Sequence, residues 1–114
     1  MIAWTVPARV VRVVDGDTLI MDLDLGWKTW RLGERCRLAG INCPELDTAE
    51  GVAARDFVAQ VFLETLPGAG KVNTDVTFTS HSLDKYGRPL GSVRLADGRI
   101  LNALILDAGH AVPM

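Results

Sequence analysis

Two cysteines, two histidines and no run of about 20 apolar residues: the 114-residue chain is short of several materials, and each shortage removes a class of function. Cys36 and Cys43 match neither a zinc-ligand spacing nor a thioredoxin-type pair, and two are too few for a disulfide framework, so free, partly buried thiols are expected. His81 and His110 lie far apart, which leaves little for chemistry built on paired imidazoles, and a zinc hydrolase is not expected. Met1 to Val10 shows no basic stretch followed by an apolar block, so we expect a cytoplasmic protein with no membrane attachment and no cleaved leader. An excess of positive charge is missing too. Twelve Lys and Arg stand against 14 Asp and Glu, a net charge of −2, and no global basic field gathers polyanions.

What is present is a core. With 48% apolar and 23% charged residues, positions 1–114 are expected to form one folded domain. Charge is unevenly spread along it. Lys28, Arg31, Arg35 and Arg37 oppose Glu34 alone between Trp27 and Arg37, while Asp15, Asp17, Asp22 and Asp24 cluster between Val10 and Leu25.

The pattern predicts strands over Ala8–Val14 and Thr18–Leu25 joined at an Asp15-Gly16 turn, and a third over Thr29–Ile41, interrupted near Leu32-Gly33. Asp47 followed three residues later by Glu50 reads as a helix cap. An apolar stripe of Ala54, Phe57, Val58, Val61, Phe62 and Leu66 follows at helical spacing and stops at Pro67-Gly68. Strands over 72–79 and Pro89–Leu95 come next, with a polar turn over Ser80–Arg88 between them, then a short helix over Asn102–Asp107 closed by Gly109. The expected architecture is mainly β (α+β): a five-stranded OB-fold Greek-key barrel with one amphipathic helix between strands 3 and 4 and a short C-terminal helix.

Three stretches carry chemistry in combination. Each has a plain reading alone: a hairpin turn at 15–18, a strand ending at Pro44 with Glu45 a solvated acid near a helix start, and a loop at 84–88 whose charges face water. Together V-V-D-G-D-T at 13–18, R-L-A-G-I-N-C-P-E at 37–45 and D-K-Y-G-R at 84–88 resemble, in order and spacing, the staphylococcal-nuclease-like family, the thermonucleases. The resemblance covers about residues 8 to 112. It implies an OB barrel and calcium-dependent hydrolysis of DNA and RNA to 3′-phosphorylated products. Carried over, it makes Asp17, Asn42 and the carbonyl of Cys43 oxygen ligands of Ca²⁺, gives Glu45 the attacking water, and sets Arg37 and Arg88 on the scissile phosphate. Lys85 and Tyr86 resemble residues that line the family's substrate cleft.

Those residue types suit the chemistry: calcium takes hard oxygen donors, and guanidinium forks match phosphate oxygens. Asn42 stands where the family usually has an aspartate, so calcium is expected to bind more weakly and Mg²⁺ or Mn²⁺ could compete. The hairpin between Asp17 and Arg37 is longer than in well-known members and carries Trp27 and Trp30. These would stack the bases of single-stranded or frayed DNA or RNA, close one end of the barrel, or serve self-association, and the oligomeric state stays open. The chain stops at Met114, before the segment in which the family places substrate-stacking tyrosines, so the expectation is that one of these tryptophans or a partner replaces them, or that substrate binding is weak. The competing reading is a catalytically silent barrel of the same fold that binds nucleic acid or protein, or belongs to a larger assembly.

Overall fold

The computed structural model describes residues 4–65 and 75–114. Strand β1 (Trp4–Asp15) turns Val6, Ala8 and Val10 inward until one extra residue, Val11, breaks the alternation and brings Arg12 opposite Ile20 of β2 (Thr18–Asp24). Strand β2 alternates from Leu19 onward, with Leu19, Met21 and Leu23 inside. Strand β3 (Trp30–Leu38) pairs with it through a bulge at Leu32-Gly33, where Gly33 adopts φ +66° and its N–H donates to Asp22 Oδ1 (2.9 Å). The interruption expected there is this bulge.

The third strand ends earlier than the sequence pattern predicts. Gly40, at φ +78°, turns the chain after Leu38, and Ile41–Asn42 form a separate short strand, β4. Helix α1 (Ala49–Thr65) follows, burying Ala54, Val58, Val61 and Phe62. Its cap is Thr48, not Asp47: the Thr48 hydroxyl accepts the Gly51 N–H (3.0 Å) and donates to the Glu45 carbonyl (2.6 Å). Leu66, Pro67-Gly68 and the predicted start of the next strand at 72–74 lie outside the described residues.

Strand β5 (Asp75–Leu83) runs through Ser80 and Ser82, which the polar pattern assigned to a turn. Buried Ser80 makes this possible, because its hydroxyl bonds the carbonyls of Ser82 and Leu90 (both 3.1 Å) across a register shift to β6 (Pro89–Arg94). Helix α2 (Leu101–Asp107) ends at Gly109, φ +81°, where the Gly109 and His110 N–H groups bond Leu106 O and Ile105 O. Strand β7 (Val112–Pro113) returns to pair with β4.

The strands close as a barrel in the order β1-β2-β3-β6-β5, antiparallel except where β3 meets β6 at Arg37–Leu90 and Leu38–Gly91. This is the five-stranded OB-type barrel that the element order predicts. Leu19, Met21, Leu38, Phe62, Phe78, Val93, Leu101 and Ile105 fill it, each burial contributing on the order of 1.5–3 kcal/mol. Among the described residues no helix is long and apolar enough to cross a membrane.

One buried polar side chain ties the parallel seam together. Asn102 Nδ2 donates to the carbonyls of Ala39 (2.9 Å) and Gly91 (3.2 Å), while its Oδ1 accepts the Val93 N–H (3.1 Å). Asn102→Ala leaves these backbone groups short of partners and is expected to lower stability by about 3 kcal/mol. Urea unfolding should show the midpoint fall at constant slope, and an unchanged midpoint would remove Asn102 from this role.

Candidate active site

Parallel pairing of β3 with β6 brings two distant motifs to one end of the barrel. There the β1–β2 turn, the end of β3, the loop around β4 and the β5–β6 turn enclose a cleft of about 710 Å³. Asp15, Asp17, Arg37, Asn42, Cys43, Glu45, Asp84, Lys85, Tyr86 and Arg88 are among its lining residues, so eight of the ten site residues predicted from sequence converge on it.

The β1–β2 turn is tight because Asp15 Oδ1 accepts the Asp17 N–H (3.0 Å). Gly16 is needed there for space rather than for a left-handed backbone. A Cβ on it would lie 2.7 Å from Cys43 Sγ and 2.8 Å from Ala54 Cβ. The Cys43 thiol therefore points into the packing under the turn, and burial, with Asp17 and Asp15 nearby, pushes it up to about 12. Burial likewise pushes the Cys36 thiol up to about 12. Neither is a nucleophile at neutral pH.

Asp17 is buried and holds the floor together. Its Oδ2 accepts the Cys43 N–H (2.8 Å) and pairs with Arg37 Nη2 (3.3 Å), and its Oδ1 accepts the Thr18 hydroxyl (3.3 Å). Burial pushes its carboxyl up to about 6, reinforced by Asp15, while the Cys43 amide and Arg37 act in the other direction. Arg37 is heavily committed: Nη1 donates to Leu38 O (2.8 Å), and Nη2 also reaches Asn42 Oδ1 (3.3 Å) and Met114 Sδ (3.8 Å).

Arg88 is the freer guanidinium. It bonds Asp84 Oδ2 through Nε (2.6 Å), which leaves both terminal nitrogens for the cleft. Asp84 also accepts the N–H groups of Tyr86 and Arg88 (both 2.9 Å) and so shapes the turn. Partial burial works to raise the Asp84 carboxyl, yet these bonds hold it below the usual carboxylate range. Lys85 Nζ and the Arg88 guanidinium lie 5.2 and 5.4 Å from the Tyr86 ring centroid, so an exposed ring is in cation–π range of two cations.

Glu45 lines the cleft from the loop between β4 and α1, and its carboxylate has no protein hydrogen-bond partner among the described residues. Its backbone is held by the Thr48 N–H and hydroxyl, which both donate to its carbonyl (3.1 and 2.6 Å). Helical Gly51 lets this loop lie against α1. A Cβ at 51 would stand 1.8 Å from the Glu45 carbonyl oxygen. Thr48, Gly51 and Asp84 are positioning residues that sequence reasoning missed; for Gly51, the only available signal was a glycine in the first turn of an otherwise good helix.

Trp27 and Trp30 do not line this cleft. They sit at the far end of the β2–β3 ladder, six residues from the Thr18–Arg37 pair along β2, roughly 20 Å at strand rise. The alternative that both close the barrel fails for Trp27, which is 99% exposed on a tip where it and Lys28 adopt φ of +56° and +58°. Trp30 is 40% exposed and carries the Arg9 guanidinium 5.2 Å from its ring centroid.

Among the described residues no three His, Cys, Asp or Glu side chains gather into a metal cluster, so a cation here would draw on amide and backbone oxygens as well as carboxylates. Asp15, Asp17, Asn42 and Cys43 all line the cleft, and their carboxylate, amide and backbone oxygens are donors of the type that hard divalent ions take. The lining also holds four carboxylates, Asp15, Asp17, Glu45 and Asp84, against the cations of Arg37, Lys85 and Arg88. The lining is therefore mixed in sign, and its oxygen donors suit a hard divalent cation.

Comparison with known proteins places this arrangement. Residues 35–114 match the family model described as staphylococcal nuclease homologue, a span that includes the second and third motifs. Two relatives, each named "Uncharacterized endonuclease", from Escherichia coli O157:H7 and from Escherichia coli, are 38% identical over 104 residues, covering 90% of this chain. The chain spans 58% of the length of those relatives. With the barrel, the cleft and the family match in agreement, the chain belongs to the staphylococcal nuclease homologue family.

Proposed function

We propose that this chain is a metal-dependent phosphodiesterase that hydrolyses DNA or RNA, using Ca²⁺, to 3′-phosphorylated products. The observation that carries this reading is the meeting of Glu45, Arg37, Arg88 and an oxygen-rich floor in one cleft, from three separate segments of the chain. Asp17, Asn42 and the Cys43 carbonyl would hold the ion, with Asp15 beside them. Bound there, a divalent cation would supply the positive charge that draws in the phosphate and steadies the oxyanion.

Glu45, open to the cleft and without a protein partner among the described residues, takes a proton from water as its oxygen bonds to phosphorus. The P–O5′ bond breaks, and the leaving oxygen takes a proton from solvent water, to which Glu45 later returns its own. Arg37, fixed by Asp17, Asn42 and Leu38, orients the phosphate, while the free nitrogens of Arg88 meet the charge that builds on it. Lys85 and Tyr86 border the path of the chain. Trp27 and Trp30, far along the β2–β3 face, would stack bases of a single-stranded or frayed substrate. Two consecutive left-handed non-glycine residues that hold Trp27 in solvent favour a contact role over packing.

End-group analysis of a digested single-stranded oligonucleotide tests the reaction: 3′-phosphate and 5′-hydroxyl ends are expected, and 5′-phosphate ends would overturn it. Asn42→Asp restores a full charge to the floor and should tighten Ca²⁺ about tenfold by calorimetric titration. No tightening would remove Asn42 from the ligand set.

A further inference from the structure

Along β3 from the cleft, the next outward side chain after Arg37 is Arg35, since Cys36 between them is buried. Arg35 pairs with Ile20 of β2, and Ile20 pairs on its other side with Arg12 of β1. That second pairing exists because the bulge at Val11 brings Arg12 opposite Ile20. Both arginines are exposed, and neither has an acidic partner within 4 Å among the described residues. Arg9, Arg31, Arg37, Arg55, Arg88 and Arg99 are each paired with an acid.

In a chain of net charge −2, two neighbouring unpaired guanidiniums continuous with the cleft form a local cationic step. We infer that Arg12 and Arg35 grip the backbone phosphates of a nucleic-acid strand as it leaves the cleft over the outer face of β1, β2 and β3. This rests on the phosphodiesterase reading and adds to it a direction and a footprint. From Arg37 to Arg35 is about 7 Å along the strand, about two steps of a stacked polynucleotide.

Beyond Ile20 the same face of β2 turns acidic. Asp22 and Asp24 follow at two-residue intervals, their carboxylates accepting the N–H groups of Gly33 and Gly26 (both 2.9 Å). Charge therefore holds the strand for about two phosphates past the cleft and no further. On the opposite side of the cleft, β6 carries Arg94, also exposed and without an acidic partner within 4 Å among the described residues, four residues past the Arg37–Leu90 pair and so leading away from Arg35. It serves as an internal control of equal charge.

The test is fluorescence anisotropy of a labelled twelve-residue oligothymidylate with Ca²⁺, using Glu45→Gln protein so that binding is read without cutting. Adding Arg12→Gln and Arg35→Gln should weaken binding about tenfold near 0.15 M salt and flatten the slope of log K against log salt by about 1.4, the loss of two single-strand phosphate contacts. Arg94→Gln should change neither, and circular dichroism with urea midpoints should show all variants equally folded. Unchanged affinity and slope in the Arg12→Gln/Arg35→Gln protein, with the unaltered chain still cleaving the oligonucleotide, would overturn this inference and leave the phosphodiesterase standing. A folded unaltered chain that neither binds nor cleaves it would overturn both.

Discussion

Glu45→Gln protein should cleave an oligonucleotide about 10²–10⁴-fold more slowly than the unaltered chain while unfolding at the same urea concentration. The amide is nearly the size of the carboxylate and keeps an acceptor, but it takes no proton from an attacking water. Folding should not register the change. The Glu45 side chain is exposed and the fixed contacts of this residue run through its carbonyl, to Thr48. A merely solvated acid at a helix start predicts the reverse pattern: intact turnover and a small loss of stability as its favourable charge near the helix N-terminus disappears. Unchanged turnover in Glu45→Gln would reassign the base.

The second large effect comes from a residue with no functional group. In Gly51→Ala the new methyl would sit 1.8 Å from the Glu45 carbonyl oxygen, 2.4 Å from its carbonyl carbon and 2.9 Å from the Pro44 carbonyl oxygen. All three atoms are backbone, so the loop must move by about 1.5 Å to reach ordinary contact. Displacement on this scale typically lowers turnover about 100-fold, because the water, the base and the phosphate no longer line up. Stability should change far less. Alanine favours the helix by about 1 kcal/mol over glycine, which offsets much of an overpacking penalty of about 1–3 kcal/mol. A large drop in kcat beside a small shift in urea midpoint is the expected signature. Full activity in Gly51→Ala would mean that the 44–45 backbone does not set the position of Glu45.

How far the sequence could be read depended on whether a feature was local. Alternation in β2, the helical stripe through Phe62 and the stop at Gly109 are consequences of neighbours in the chain, and they appear where the pattern puts them. The cap of α1 shows where local reading fails. Asp47 with Glu50 satisfies the capping pattern, yet Thr48 takes the role because its hydroxyl also secures the Glu45 carbonyl, a contact set by how the loop folds back. Gly16 looked like a turn residue, but what excludes a side chain there is the thiol of Cys43, 27 positions away.

The site divides in the same way. The motif residues at 15–18, 37–45 and 84–88 were recognisable, but their convergence depends on parallel β3–β6 pairing and on buried Asn102, which bridges Ala39, Gly91 and Val93. Nothing in a short polar interruption of an apolar helix distinguishes such an asparagine from a solvated one. Trp27 and Trp30 carried three readings in the sequence. Exposure of Trp27 at a left-handed tip removes barrel closure for that residue, and the position of both away from the cleft removes them from its lining.

Cleavage of a fluorescent single-stranded DNA oligonucleotide, with millimolar Ca²⁺ and with the ion chelated, decides whether this chain is a metal-dependent nuclease. Cutting that requires the ion and is lost in Glu45→Gln is the expected result. A folded chain that leaves the oligonucleotide intact with Ca²⁺, Mg²⁺ and Mn²⁺ would contradict it and identify the barrel as a catalytically silent member of its family.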